Sequence, residues 1–211
     1  MAENTFTIRG AEVIDGNDKP AKRQDLLVTN GVISQLGDIL KGGEEGKIID
    51  GSGLTLAPGF IDMHAHSDLA VLTDKQHLAK VTQGVTTEVV GQDGLSYVPS
   101  NPETLLLLRE QLFGWNADPA GLKWDFHSVS DYLTEVDKGS AVNIAYLIPH
   151  GSVRMLVRGN EPGIANADEL KQMINLTETG MKEGAFGLSA GLTYTPAMYA
   201  NDQEIIELCK V

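Results

Sequence analysis

Cysteine is nearly absent from this 211-residue chain. Cys209 stands alone, so no internal disulfide can form and the fold must rest on a packed core. No stretch approaches the roughly 18 consecutive apolar residues that a membrane-spanning helix needs. Positive charge is scarce too: 16 Lys and Arg face 29 Asp and Glu, a formal net charge of −13. That balance argues against nucleic acid or an anionic membrane as the main partner, since both are held through Lys/Arg patches. The opening residues, Met1-Ala2-Glu3-Asn4-Thr5-Phe6, lack the basic n-region and apolar h-region of a secretory leader, so the expected location is the cytoplasm.

What is present is a hydrophobic fraction of 42%, enough for a sizeable core. Residues 1–56 read as short strands: Phe6 to Val13, Leu26 to Thr29, Val32 to Leu36, Lys47 to Asp50 and Leu54 to Leu56. Asn30-Gly31 between two of them is a hairpin signal, because both residue types tolerate the positive φ of a type I′ turn. Gly42 to Gly46 is a polar connector. These residues are expected to form a small β domain, too small to be comfortable alone.

From Ala57 to Val211 strands alternate with helical stretches, the pattern of parallel βα units in an α/β fold. The first strand, Gly59 to His66, carries His64 and His66 two residues apart. Strand side chains alternate faces, so Phe60, Asp62, His64 and His66 share one face and two imidazoles can converge on a metal. Asp62 on that face is a candidate for orienting a ring nitrogen. A bare His-x-His also arises by chance, and the Pro58-Gly59-Phe60-Ile61-Asp62 lead-in is what gives it weight. A helix near Asp74 to Gln83 follows, and then a second strand, Val85 to Gly91. Its parity puts Thr87, Val89, Gly91 and Asp93 on one face and Asp93 at the strand mouth.

Asn101-Pro102-Glu103 starts a helix, with Asn as N-cap and Pro at the first helical position, and apolar residues run from Leu105 to Phe113. Trp115, Trp124 and Phe126 then fall in a loop, as a lid or substrate wall or as core filler. Ser130 to Val136 reads as another helix. The third strand, Ala141 to Pro149, ends in His150-Gly151-Ser152-Val153-Arg154. His150 is a ligand, a carbonyl polariser or a structural histidine; Arg154 suits a substrate carboxylate through its bidentate fork, or a plain ion pair. Asn166 with Glu169 forms a capping signature for a helix ending near Gly184. A fourth strand, Ala185 to Ser189, leads to a mouth of small residues and Tyr194, and Asn201-Asp202 opens the last helix.

These residues resemble the amidohydrolase superfamily, and within it the N-acyl-D-amino-acid deacylases, or D-aminoacylases. The resemblance rests on Leu56 to Asp68, Thr82 to Thr87, Gly91-Gln92-Asp93-Gly94, Pro149 to Arg154 and Gly184 to Tyr194, in one collinear order over nearly the whole chain. It implies an α/β fold in which residues 57–211 are the first four βα units, the N-terminal half, of a TIM-like (β/α)8 metal-dependent hydrolase barrel. Residues 1–56 would then be part of a β-sandwich completed by C-terminal residues. Since eight βα units take roughly 250 residues, the chain reads as an N-terminal fragment.

The resemblance also implies one or two Zn2+ ions, with His64 and His66 as ligands and Asp93 standing where the family has a cysteine. His150, Arg154 and Tyr194 would be the substrate-binding candidates, and the general-base Asp and further metal histidines would lie beyond Val211. The implied reaction is hydrolysis of the linear amide of N-acyl-D-amino acids, a small-molecule substrate, to a carboxylate and a free D-amino acid. Alternatives are a cyclic amide or dipeptide substrate, or a non-catalytic scaffold of the same fold. The absence of lysine from Ala185 to Tyr194 weakens a dihydropyrimidinase or dihydroorotase reading. A homo-oligomer is compatible with all of these. Half a barrel leaves sheet edges and apolar surface uncovered, so residues 1–211 alone are expected to be unstable or to aggregate.

Overall fold

The computed structural model describes residues 4–39 and 42–211; residues 1–3, part of the stretch read for a leader, and residues 40–41 lie outside it. The chain divides into two compact units, Met1–Gly59 and Phe60–Val211.

The first unit is one five-stranded sheet built from β1 (Phe6–Val13), β2 (Lys22–Thr29), β3 (Val32–Gly37), β4 (Lys47–Asp50) and β5 (Thr55–Leu56). The order is β3-β2-β1-β4, with β5 also on β1. β2 pairs antiparallel with both β1 and β3, while β4 and β5 run parallel to β1. Asn30 and Gly31 join β2 to β3 at φ 53° and 79°, the left-handed pair that the Asn-Gly hairpin signal requires. Among the described residues, Ala11, Val13, Leu26, Leu27, Val28 and Ile39 are its buried apolar residues.

The second unit is mixed α/β around a parallel sheet of β6 (Phe60–Asp62), β7 (Val85–Val90), β8 (Asn143–Pro149) and β9 (Gly187–Ser189), adjacent in chain order. Its helices are α1 (Ala70–Thr73), α2 (Leu78–Val81), α3 (Pro102–Asn116), α4 (Val129–Asp137), α5 (His150–Arg158), α6 (Ala167–Lys182) and α7 (Asp202–Leu208). The core gathers Leu69, Val90, Leu108, Tyr132, Tyr146, Ile148 and Met173, with Tyr146 packed on Tyr132 at 5.0 Å between ring centroids. Because all four strands run the same way, their carboxyl ends lie along one edge, where α/β folds collect functional residues.

Three helices start where their sequence says. Asn101 accepts from Thr104 N at 2.8 Å, Asn166 and Glu169 close a reciprocal capping box, and Asn201 accepts from Glu204 N at 2.9 Å. Elsewhere the structure departs from the sequence expectation. The helix expected near Asp74 to Gln83 is confined to the single turn of α2, Leu78–Val81: its N-cap His77 adopts φ 44° and its ring lies 2.7 Å from the buried Glu88, while the separate short helix α1 ends at Thr73. α3 runs through Gly114, so Trp115 sits on a helix and not in a loop. α5 follows β8 with no connecting loop: Pro149 is its N-cap and no side chain caps it.

Candidate metal centre

β6 is shorter than the Gly59 to His66 strand expected, and Asp62 is the reason. Its Oδ1 accepts from His64 N at 3.1 Å, a local turn that draws the chain out of the ladder, and its Oδ2 accepts from Lys80 Nζ at 2.5 Å. Asp62 therefore orients the backbone at His64, not an imidazole nitrogen. The bond from Lys80 holds its carboxyl below the usual range, aided by the His64 amide. Beyond the turn the chain stays beside β7, with Ala65 N donating to Val89 O at 3.1 Å. The buried Gln92 amide reinforces this by donating to Met63 O at 2.8 Å and Val89 O at 3.0 Å.

Asp93 reaches the site through a turn, not through strand parity. β7 ends at Val90, and Gly91, Asp93 and Gly94 then take φ 76°, 55° and 71°, all left-handed. Glycine is needed at the first of these, since a Cβ at Gly91 would stand 2.2 Å from Leu147 O. The turn is clamped on both sides. Ser189 Oγ, at the end of β9, donates to Gly91 O and accepts from Gly94 N at 3.1 Å. Asp68 Oδ1 accepts from Gly91 N at 3.1 Å and from Ser96 Oγ at 2.5 Å. Burial pushes the Asp68 carboxyl above its usual range, against the pull of those bonds.

Thus Asp93 Oδ2 lies 3.5 Å from His64 Nε2 and 3.2 Å from His66 Nε2. Ligands about 2.1 Å from a tetrahedral zinc stand roughly 3.4 Å from one another, so the spacing suits one divalent ion among two nitrogens and an oxygen. Among the described residues this is the one group of three or more His, Cys, Asp or Glu whose ligand atoms gather within 4.8 Å. His64 is exposed while His66 and Asp93 are half-buried, so the cluster opens to solvent.

The other sequence candidates separate. His150 and Arg154, one helical turn apart on α5, are fully buried. His150 Nε2 lies 2.7 Å from Glu204 Oε1, while Arg154 donates to Glu204 Oε2 and to Gly163 O. Both are engaged in tying α5 to α7, and the structure does not bring them to the cluster. Tyr194 does stay at its rim. Its ring centroid is 5.2 Å from that of Trp115, which is 5.0 Å from that of His66. Trp124 and Phe126 belong to the packing instead: Phe126 is buried, and the Arg109 guanidinium stacks 4.3 Å over the Trp124 ring. Sequence reading passed over Ser189, Asp68 and Gln92, which hold the ligands' backbone. The signal that marks them is their place inside the motifs, Ser189 as the last residue of the fourth strand.

Residues 47–208 match the family model described as amidohydrolase family. The chain belongs to the amidohydrolase family. This amidohydrolase chain is 37% identical to an N-acyl-D-aspartate deacylase of Alcaligenes xylosoxydans xylosoxydans, over 99% of its own length and 41% of that protein. It is 35% identical to a D-aminoacylase of the same organism, over 96% of its own length and 41% of the relative. Among solved structures, the N-acyl-D-glutamate deacylase from Bordetella bronchiseptica complexed with zinc and a phosphonate mimic of the tetrahedral intermediate superimposes with a TM-score of 0.82. That match is at 31% identity and covers 97% of this chain and 42% of that one. The amidohydrolase chain thus spans about two fifths of the length of these relatives.

Proposed function

We propose that the full-length protein hydrolyses the amide bond of N-acyl-D-amino acids to a carboxylate and a free D-amino acid, using a divalent metal, zinc in the first instance. The observation that carries this is the convergence of His64, His66 and Asp93 at the carboxyl edge of a parallel sheet. Two imidazoles and a carboxylate at that spacing fit zinc. When bound, such an ion polarises a scissile carbonyl and lowers the pKa of water. His64, His66 and Asp93 would hold it, as one ion or as part of a two-ion site. Asp62 and Gln92 fix the backbone at His64, and Ser189 and Asp68 fix the turn that carries Asp93. The general base would be an aspartate beyond Val211.

In the same reading Phe60–Val211 is the first half of a TIM-like barrel, Met1–Gly59 is part of a β-sandwich, and the substrate is a small molecule met in the cytoplasm. The parallel order of β6 to β9 supports the barrel, and among the described residues no helix is long and apolar enough to cross a membrane. The test is metal analysis of the purified full-length protein followed by amine release from N-acetyl-D-amino acids and their L enantiomers, with ring opening of a hydantoin read as carboxylate formation. Zinc-dependent release from the D series is expected. A metal-loaded protein that releases no amine from any of them refutes the proposal.

A further inference from the structure

We infer that Trp115 is a specificity-determining wall of the site: its indole receives an apolar group of the substrate that flanks the amide held at the His64–His66–Asp93 cluster. The inference rests on the amidase reading and adds to it the class of substrate that this half of the site favours. Three observations carry it. Trp115 lies 5.0 Å from His66 and 5.2 Å from Tyr194 between ring centroids, so a row of rings leads out from the cluster. Trp115 remains 42% exposed, whereas Tyr97, Phe126 and Tyr132 fill the core, so it has surface to offer. And the row is anchored. Gln111, one turn before Trp115 on α3, donates from Nε2 to Thr195 O at 2.7 Å, joining the helix that bears Trp115 to the loop that bears Tyr194.

The charges on neighbouring elements point the same way. Lys80 is committed to Asp62 and Glu88, and Arg154 to Glu204. What this edge of the sheet presents beside the cluster is an aromatic face, which favours aliphatic or aromatic groups over charged ones. The apolar group can come from either side of the amide, the amino-acid side chain or the acyl chain.

The experiment uses the full-length protein, its Trp115→Ala and Trp115→Phe variants, and N-acetyl-D-alanine, N-acetyl-D-leucine and N-butyryl-D-alanine. Expected is a loss of about tenfold in the kcat/KM preference for one longer compound over N-acetyl-D-alanine in Trp115→Ala, with Trp115→Phe restoring most of it. A loss confined to N-acetyl-D-leucine assigns the wall to the side chain, and one confined to N-butyryl-D-alanine assigns it to the acyl group. Preferences unchanged within twofold in both series, in a parent that turns the compounds over, overturn the inference and leave the amidase reading standing. If the parent hydrolyses none of them, the amidase reading fails, and calorimetric titration of the zinc-loaded full-length proteins with the same compounds decides about the wall. Weaker binding of a longer compound to Trp115→Ala supports it, and equal binding or none overturns it.

Discussion

Replacing Ser189 by alanine tests whether the Asp93 turn is held from β9. The hydroxyl is 8% exposed at residue level and serves two backbone groups at once, accepting from Gly94 N and donating to Gly91 O. Its removal leaves a buried donor and a buried acceptor without partners, which costs about 2–4 kcal/mol. Stability is only half of the expectation. Gly91 and Gly94 bracket Asp93, so releasing them frees the carboxylate from its position between His64 and His66, and metal affinity should fall roughly 10- to 100-fold, as for other groups that orient ligands. The assay is competition of the full-length protein with a chromophoric chelator for zinc, alongside urea unfolding of the metal-free form. Loss of stability with unchanged zinc affinity would refute the idea that Ser189 positions Asp93. Loss of neither would mean that the Gly91 to Gly94 turn holds itself.

Other perturbations probe the remaining links. His66→Ala should weaken zinc binding by roughly 100-fold or more, whereas Asp93→Cys should keep it and raise the affinity for cadmium relative to zinc, because thiolate is the softer donor; chelator competition with both ions reads each. Burial pushes the Glu204 carboxyl up, but the bonds from His150 and Arg154 outweigh it and hold the group below its ordinary 4.5. Stability from this trio is therefore present above pH 4.5 and lost as the pH falls further. Glu204→Gln, which leaves the buried Arg154 guanidinium without its carboxylate and takes the same carboxylate from His150, should cost about 3–5 kcal/mol at pH 7, with the gap to the parent narrowing in acid; urea midpoints from pH 7 down to 3 measure it. Residues 1–211 expressed alone should self-associate, since Phe60, Ile61, Met63 and Phe186 are more than half exposed around the two edge strands. Cooperative unfolding of a soluble monomer would count against that.

Much of the fold is legible in the sequence wherever its chemistry is local. An Asn-Gly pair needs only its own φ angles to make a hairpin, and Asn101, Asn166 and Asn201 need only the amide two or three residues on to start a helix. β1 and β4 have the bounds their residues suggest. Legibility fails where a distant partner decides. Nothing near His77 announces its left-handed backbone, which answers to Glu88 on β7. Nothing at Pro149 or His150 signals a helix start, since α5 has no capping side chain and is secured instead by Glu204 of α7.

The metal cluster shows the same division more sharply. Strand parity expects His64, His66 and Asp93 at the mouths of continuous strands, and the three do converge, yet neither strand is still a strand when it reaches them. β6 is interrupted by Asp62, and β7 gives way to a left-handed turn at Gly91. Convergence is restored by bonds across the sheet edge: Gln92 to Met63, Asp68 to Gly91 and Ser189 to both ends of the turn. Those partners come from three different βα units, so the ligand geometry depends on β6, β7 and β9 holding their order around β8. A displacement of β9 alone, two strands away from Asp93 in the sheet, should therefore be felt at the metal, although no residue of β9 belongs to the cluster.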